Sequence, residues 1–300
     1  MRIGTRKSPL ALAQTHEAVA ALKASGLPGD AIEIVSMHTI GDKVVDRPLV
    51  EIGGKGLFSK ELDKALLDHR IDAAVHSAKD LESTLTEGIT IAATLPREDP
   101  SDLLISSHAE TLEALPKKAV FGTSSVRRAA MILARRPDLQ IVPFRGNLDT
   151  RLRKLANGEA QATILAAAGL KRLKRAVPQA TRIPHTIMLP ASGQGIVAIT
   201  CRTDDHAILK RLEALNHTPS MAQLLCERSV LRVVDGTCRT PIGAFSRIDN
   251  ATGTITVQAA LAALDGGRIE QAEGAAPLAD AEALGQRIGQ SLKTRFPDHA

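Results

Sequence analysis

The sequence predicts an α/β fold of two similar lobes, followed by a small α+β unit. Short β-branched runs alternate with helical patterns through the first two-thirds of the chain, which is typical of parallel α/β sheets. Two strand-to-helix turns are alike, Gly4-Thr-Arg-Lys-Ser8 and Gly122-Thr-Ser-Ser-Val-Arg127, and suggest related lobes that face each other across a cleft. From Pro219 the pattern changes to a long helix, alternating strands and a final helix.

The first lobe is predicted to begin with a strand over Arg2–Thr5 and a helix over Pro9–Ser25. Ser8 is a favourable N-cap, Pro9 suits the first helical position, and Gly26 ends the helix. The other elements of this lobe are a strand over Ile32–His38, a helix over Leu57–His69, and strands over Ala73–His76 and Ile89–Leu95.

A crossover between lobes is predicted where Pro96 and Pro100 bracket a charged segment. The second lobe then has strands over Ala119–Gly122, Gln140–Phe144 and Ala162–Ala166, and helices over Val126–Arg136 and Asn147–Asn157. The segment Pro190–Gly195 precedes a strand-like run over Ile196–Thr200, which we interpret as the return to the first lobe. We expect the first lobe to comprise residues 1–96 with 196–215, the second 101–190, and the C-terminal unit 218–300.

The composition indicates a protein with aliphatic cores and no membrane segment. Hydrophobic residues make up 44% of the 300 residues and aromatic residues 2%, with no Trp or Tyr. The N-terminus lacks an apolar signal region, and no apolar run approaches the length of a bilayer-spanning helix. The three cysteines form neither a disulfide framework nor a Cys-x-x-Cys pair. We therefore expect a cytoplasmic protein.

Positive charge is concentrated between Lys117 and Arg182. This block holds fifteen Lys or Arg and three acidic residues and nets +12, whereas the whole chain nets +5. Such an uneven distribution predicts one face built for an anionic partner. The block has only Phe121 and Phe144 as aromatics, so it lacks stacking platforms for single-stranded nucleic acid, and it contains no zinc-finger, RNA-recognition or basic-zipper pattern. A small anion with several carboxylates or phosphates fits better.

The turn that begins at Gly122 is a candidate anion site. A strand that ends in Gly-Thr-Ser-Ser at a helix start presents backbone N–H groups and hydroxyls to an anion. Arg127 and Arg128 oppose the helix dipole there, which a bound ligand and a capped helix with two solvated arginines explain equally well. A second turn of this kind has Arg145, Gly146 and, roughly one helical turn or a little more further on, another arginine at position 151. The repetition favours an anion site.

The other basic residues of the block are expected to lie on solvated faces: Arg135, Arg136, Lys171, Lys174 and Arg175. Spacing alone leaves the place of Arg172 open. The glycine-rich run Gly53-Gly-Lys-Gly56 lacks the P-loop spacing. It is either a plain mobile loop or a lid from which Lys55 reaches the cleft.

Polar residues follow a buried strand in Val75-His-Ser-Ala-Lys-Asp80. They are expected at the carboxyl end of the strand, where open α/β sheets bind ligands. Lys79 offers a cation for a carboxylate and Asp80 offers a carboxylate for a developing cation, although a simple surface ion pair is the alternative. His76 is expected to be structural.

The cysteines differ in their surroundings. Cys201 lies in an apolar strand-like run and Cys226 on an apolar helix face, so both are expected to be inert. Cys238 lies in a polar loop beside Arg239, and nearby positive charge favours the nucleophilic thiolate. A free loop thiol remains the alternative, since no histidine is next to it in sequence.

Taken together, these segments resemble the hydroxymethylbilane synthase (porphobilinogen deaminase) family. The similarity spans residues 2 to about 245. It is carried by the segments that begin at Arg2, Gly53, Val75 and Gly122, by Arg145-Gly-Asn147 and Arg151, and by Gly169-Leu-Lys-Arg172, Gly193-Gln-Gly195 and the Cys238 loop. The resemblance implies three domains, of which the first two are like the lobes of type II periplasmic binding proteins. Glu82 stands where members often have Pro.

The resemblance also implies an activity. Members join four porphobilinogen molecules head to tail with release of ammonia, and they free hydroxymethylbilane by hydrolysis, in tetrapyrrole and haem biosynthesis. The cofactor is dipyrromethane, held through a thioether to the residue that matches Cys238. Neither a metal nor a nucleotide is implied, and we expect a monomer.

The residues that match functional positions of the family fall into three sets. Asp80 matches the catalytic aspartate. Cofactor contacts are matched, besides Cys238, by Lys79, Thr123, Ser124, Ser125, Arg127, Arg128, Arg145 and Gly146. Contacts to substrate or to the growing chain are matched by Arg6, Ser8, Lys55, Phe58, Ser77, Arg151, Arg172 and Gln194. Each porphobilinogen adds an acetate and a propionate, and arginines bind carboxylates bidentately.

Two other functions compete with this one. A bilobal binding protein for anions accounts for both lobes but not for Cys238 or the third domain. A nucleic-acid binder accounts only for the charge.

Overall fold

A computed structural model of the chain describes residues 1–26, 31–39, 59–237 and 239–297. The strands are β1 (Arg2–Arg6), β2 (Glu33–Met37), β3 (Ala73–Ser77), β4 (Ile89–Thr94), β5 (Asp102–Ser106), β6 (Val120–Gly122), β7 (Gln140–Val142), β8 (Ala162–Ala166), β9 (Ala180–Arg182), β10 (Val197–Arg202), β11 (Ile242–Asp249), β12 (Thr254–Ala262) and β13 (Ile269–Pro277). The helices are α1 (Pro9–Ala24), α2 (Lys60–Leu67), α3 (Val126–Leu133), α4 (Leu148–Ala156), α5 (Ala167–Arg172), α6 (His206–Glu213), α7 (Thr218–Val233) and α8 (Ala281–Arg295).

Two five-stranded sheets share one topology. The first has the order β2-β1-β3-β10-β4 and the second the order β7-β6-β8-β5-β9. In each sheet the first three strands are parallel, and the fourth is antiparallel to both of its neighbours. That antiparallel strand is always the one that follows a crossing, β5 after Pro100 and β10 after Gly195. The predicted α/β class with two related lobes is confirmed.

The third sheet is an antiparallel meander, β11-β12-β13, with α7 and α8 packed against it. Its core is aliphatic, as the composition predicts, and includes Val230, Val257, Leu284 and Leu292. This unit is the α+β element predicted at the C-terminus. None of the helices in the described ranges is long and apolar enough to cross a membrane.

Helix starts follow the capping signals of the sequence. The hydroxyl of Ser8 accepts a hydrogen bond from Ala11 N (3.3 Å), which caps α1. The hydroxyl of Ser125 accepts one from Arg128 N (3.4 Å), which caps α3. Since β1 and β6 occupy the same position in their sheets, the two similar turns are equivalent. Gly26, with φ +97°, follows the end of α1 as predicted.

Arg136 was expected on a solvated face, and this expectation is wrong. The helix predicted to reach it ends at Leu133. The Arg136 guanidinium donates hydrogen bonds to the carbonyl oxygens of Leu112 (2.7 Å) and Leu115 (3.0 Å) and to the carboxylate of Asp138 (2.7 Å). It therefore ties the segment before β6 to the end of α3.

Candidate active site

The surroundings of Asp80 are built by two neighbouring parallel strands. β3 continues from Ser77 into a single 3-10 turn that ends at Asp80. Arg6 is the last residue of β1, and its Nη1 lies 3.3 Å from Asp80 Oδ2. Since parallel strands bring their carboxyl ends to one edge, this is where open α/β sheets bind ligands. The predicted position of these side chains is confirmed.

A small cavity of about 40 Å³ opens beside this pair. It is lined by Arg6, Ser8, Leu10, Ala11, Gln14, Val75, His76, Ser77 and Asp80. The Gln14 amide and the Ser77 hydroxyl hydrogen-bond each other, at 2.8 and 3.0 Å. Gln14 was not among the predicted site residues. Its signal was a long polar side chain on the buried, mostly apolar face of α1.

Asp80 pairs with Arg6 rather than with its sequence neighbour Lys79. The half-buried Lys79 places Nζ 3.2 Å from Gln194 Oε1. Burial, and next the charge of Arg128, lower the pKa of Lys79 to about 8. The simple surface ion pair considered from sequence is therefore not what forms.

Gln194 links the two lobes. Its Nε2 donates hydrogen bonds to Pro100 O (2.7 Å) and to Asp102 Oδ1 (2.9 Å), while its Oε1 accepts from Lys79. Lys79 follows a strand of the first lobe, and Asp102 begins a strand of the second. This contact holds the two carboxyl-end edges next to each other.

Asp102 is the buried counter-ion of two site arginines. Arg127 Nη2 lies 2.8 Å from Oδ2 and Arg128 Nη2 lies 2.7 Å from Oδ1. Burial alone would raise the pKa of Asp102, but the two guanidinium charges hold it well below its usual range. Both arginines also donate to carbonyl oxygens, Arg127 to Leu189 and Arg128 to Ile164.

The alternative of two solvated arginines at this helix start is therefore wrong. Arg127 is 5% exposed and Arg128 is 6% exposed. Asp102 was not predicted as a partner because it lies 25 and 26 residues earlier in the sequence. The buried Nε of Arg128 has no hydrogen-bond partner within the described ranges.

The hydroxyls of the turn after β6 accept hydrogen bonds from nearby backbone N–H groups and so stabilise the turn. Thr123 Oγ1 accepts a hydrogen bond from Ser125 N (3.2 Å), and Ser124 Oγ accepts one from Phe144 N (2.9 Å). Each hydroxyl keeps an O–H donor in addition to the lone pair it uses here. The turn is thus rigidly held, with its donors at the edge predicted to bind an anion.

The second arginine turn lies beside the first. Gly146 has φ +119°, a conformation that favours glycine, and its carbonyl accepts a hydrogen bond from Arg151 Nε (3.0 Å). Burial, followed by the charge of Arg128, lowers the pKa of Arg151 to about 10; Asp80 acts in the opposite direction and Arg145 in the same one. Arg151 therefore senses charges from both lobes.

Arg172 joins the lobes on another side. Its side chain is 8% exposed, with Nε 2.9 Å from Glu17 Oε2 on α1 and Nη2 3.1 Å from the Gly195 carbonyl. The structure thus places it at the return crossing, paired with a carboxylate of the first lobe. Sequence spacing left this position open.

Three predicted site residues, Lys55, Phe58 and Cys238, lie outside the described residues. The two described cysteines are free and buried. Burial raises the pKa of Cys201 to about 11 and that of Cys226 to about 12. Their predicted inertness as nucleophiles agrees with these pKa values.

Among the described residues of the site, cations outnumber carboxylates. Burial and neighbouring cations lower the pKa values of Lys79 and Arg151, and the buried Nε of Arg128 has no hydrogen-bond partner in the part of the chain that the structure describes. Carboxylates of a ligand would relieve both conditions, since charge-assisted bonds to arginine are among the strong ones. No group of three or more His, Cys, Asp or Glu in the described part of the chain could hold a metal ion.

Two family models match the chain. "Porphobilinogen deaminase, dipyromethane cofactor binding domain" matches residues 1–210, and "Porphobilinogen deaminase, C-terminal domain" matches residues 221–294. The porphobilinogen deaminase of rice, a chloroplastic protein, is 45% identical over 98% of this chain and 84% of its own length. That of Paracoccus denitrificans is 44% identical over 99% and 95%.

A solved periplasmic substrate-binding protein of an ABC transporter from Coxiella burnetii is 15% identical. The match covers 76% of this chain and 96% of that chain, with a TM-score of 0.43. The two family models together cover most of the sequence, and relatives of the same family match it nearly end to end. The chain belongs to the porphobilinogen deaminase family.

Proposed function

We propose that this protein joins four porphobilinogen molecules head to tail, releases ammonia at each step, and frees hydroxymethylbilane by hydrolysis. The observation that carries the proposal is a group of cations from both lobes near Asp80, whose charge acts on Arg151 of the second lobe. Arg6 contacts Asp80 directly, and Lys79 is linked through Gln194 to the Asp102, Arg127 and Arg128 cluster. Such a site suits a ligand that carries several carboxylates and develops positive charge as it reacts.

Dipyrromethane, bound through Cys238, would supply a terminal pyrrole as the acceptor for the first substrate unit. The chain's own residues would hold its carboxylates: Lys79, Thr123, Ser124, Ser125, Arg127, Arg128, Arg145 and Gly146. Those assigned to the substrate and the growing chain are Arg6, Ser8, Lys55, Phe58, Ser77, Arg151, Arg172 and Gln194. Buried arginines suit this task because the guanidinium fork fits a carboxylate with two hydrogen bonds.

Asp80 is the catalytic residue of this proposal. Its carboxylate accepts a hydrogen bond from a pyrrole N–H and stabilises the cation left when ammonia departs. Arg6 orients the carboxylate, since its Nη1 already lies within hydrogen-bond distance. An acid fixed where positive charge develops stabilises the transition state more than the ground state.

The intact mass of the purified protein tests the proposal. We expect a covalent two-pyrrole adduct that peptide mapping locates on Cys238 and that Cys238→Ala abolishes. Cys201→Ala and Cys226→Ala are the controls and should retain the adduct, because both thiols are buried. An active protein without the adduct would overturn the proposal. Salt-dependent tight binding to DNA would favour the nucleic-acid binder instead.

We further propose a cytoplasmic monomer with the domain bounds 1–96 with 196–215, 101–190 and 218–300. The two described thiols are free, which fits a reducing compartment. β5 follows β4 of the first sheet in the chain but lies in the second sheet, and β10 follows β9 of the second sheet but lies in the first. This arrangement supports two crossings between the lobes, near residues 96–101 and 190–196. Light scattering of the purified protein would measure the oligomeric state.

A further inference from the structure

One face of α7 is directed at the segment that contains Asp80. Leu224 and Arg228 are four residues apart, so they lie on the same face of the helix. Leu224 is fully buried and packs in one cluster with Ala78 and Leu81, which flank the catalytic position on either side. This packing holds the 3-10 turn from the side of the third sheet.

Arg228 forms hydrogen bonds with the two residues that follow Leu81. Its Nη2 donates hydrogen bonds to the carbonyl oxygens of Glu82 (2.7 Å) and Ser83 (3.2 Å). Arg228 is only 6% exposed, and burial lowers its pKa to about 10. Burying a charged guanidinium is costly unless it is hydrogen-bonded. Here the Arg228 guanidinium is bonded to backbone carbonyl oxygens of the loop that follows Asp80.

α7 itself, which ends at Val233, is held in place next to Arg228. Glu227, next to Arg228, binds the backbone N–H groups of Gly193 (2.7 Å) and Ser246 (2.8 Å). The helix is thus anchored beside Arg228 to the second crossing and to β11, so it is a fixed support for the loop after Asp80.

We propose that Arg228 is a positioning residue that fixes the loop after Asp80 against α7 and thereby holds the Asp80 carboxylate in place at the site. The proposal rests on the function proposed above. Arg228 donates to backbone carbonyls of the loop, near the charge of Glu82, and contacts neither Asp80 nor the reacting atoms. A misplacement of about 1 Å at a catalytic group can lower the rate by about 10²-fold, so loss of this loop contact is expected to lower kcat measurably.

The test compares Arg228→Met and Arg228→Lys with Arg232→Met. Arg232 is one helical turn further along α7, but among the described residues its Nη2 bonds to Ser229 Oγ and Glu282 Oε1, both within the third domain. For each protein we would measure the adduct by intact mass, hydrogen–deuterium exchange of residues 78–85, and kcat and KM for porphobilinogen.

In Arg228→Met we expect the adduct to form, exchange in residues 78–85 to rise, and kcat to fall tenfold or more while KM changes less than threefold. Arg228→Lys, which keeps a charged donor, should recover part of kcat, and Arg232→Met should behave as the parent. A residue with a merely stabilising role would lower the melting temperature of Arg228→Met and leave kcat of the folded protein unchanged.

Parent-like exchange, or kcat within twofold of the parent in adduct-carrying Arg228→Met, would overturn the proposal. If Arg228→Met does not fold, Arg228→Lys decides, with kcat at least threefold lower and faster exchange expected. Failure of the proposed function is distinguishable, because the parent itself would then lack the adduct and release no ammonia, while the exchange measurement would still report on the loop.

Discussion

Arg97 and Glu227 form a buried two-point ion pair, with Nη1 2.6 Å from Oε1 and Nη2 3.2 Å from Oε2. Arg97 lies in the first crossing between the lobes, and Glu227 lies on α7. The same carboxylate accepts hydrogen bonds from Gly193 N in the second crossing and from Ser246 on β11. One side chain therefore joins both crossings to the third sheet.

Glu227→Gln should strongly destabilise the protein. The substitution keeps the shape of the side chain but leaves Arg97 buried without its counter-ion, a loss that typically costs about 3–5 kcal/mol. Urea unfolding measures the change. The control is Glu282→Gln, which breaks the exposed pair with Arg232 and should cost no more than about 1 kcal/mol. Equal effects of the two substitutions would contradict the role assigned to Glu227.

Asp80→Asn should leave a folded protein that binds substrate but turns over slowly. Asn keeps a hydrogen-bond acceptor for a pyrrole N–H, but it loses the charge that offsets the cation formed as ammonia leaves. Removing one such electrostatic group commonly lowers the rate by about 10²–10³-fold. Single-turnover ammonia release measures the effect, after the adduct has been confirmed by mass. Near-normal release would mean that the carboxylate is structural.

Arg128→Leu and Arg145→Leu should both impair cofactor assembly or elongation, but only the first should also cost much stability. Arg128 is buried and bonded to Asp102, whereas Arg145 is half-buried. Breaking a buried ion pair costs about 3–5 kcal/mol. Urea unfolding and product formation would be followed together for both variants. Unchanged turnover in both would refute the carboxylate site.

His76 should make the protein less stable in mild acid. Burial, followed by the charge of Arg6, lowers the pKa of His76 to about 4, and its Nε2 lies 3.0 Å from Thr200 Oγ1. The unfolded chain binds the proton near pH 6.5, so this stability is complete above that pH and is lost as the pH falls towards 4. By linkage, the loss at pH 5 is about 2 kcal/mol.

The measurement is the free energy of unfolding at pH 7 and pH 5, for the parent and for His76→Gln. Gln keeps a polar group near Thr200 but does not titrate, so the decline between the two pH values should be smaller in the variant. If the free energy of unfolding falls equally in parent and variant between pH 7 and pH 5, another titrating group causes the loss of stability in acid.

Local signals in the sequence predicted local structure well. Ser8 caps the helix that it was expected to cap, Ser125 caps the helix that was predicted to begin at Val126, and the two similar turns occupy equivalent positions in their sheets. His76 proved structural, in a hydrogen bond with Thr200. Each of these features depends on residues close in sequence or on a simple periodic pattern, which is why they could be predicted.

Distant partners could not be predicted in this way. β5 follows Pro100 and has no alternating pattern, and its place in the sheet depends on pairing with β8, which is some 60 residues away in the sequence. Counting charges located the basic block but gave no indication that Asp102 neutralises two of its arginines. Arg172 and Glu17 meet only because the lobes do, and no sequence spacing encodes that contact.

The position of β10 between β3 and β4 has a consequence for synthesis. β4 is made early, yet the strand that pairs with it among the described residues spans residues 197–202, about 100 residues later. At roughly 5–20 residues per second, a ribosome needs on the order of 5–20 s to supply it. All strands of the second sheet lie between residues 102 and 182, so that lobe can be complete before the strand that pairs with β4 has been synthesised. Chains arrested before residue 197 should therefore show a protease-resistant second lobe and a cleavable β4, with the middle of the polypeptide folded before its beginning.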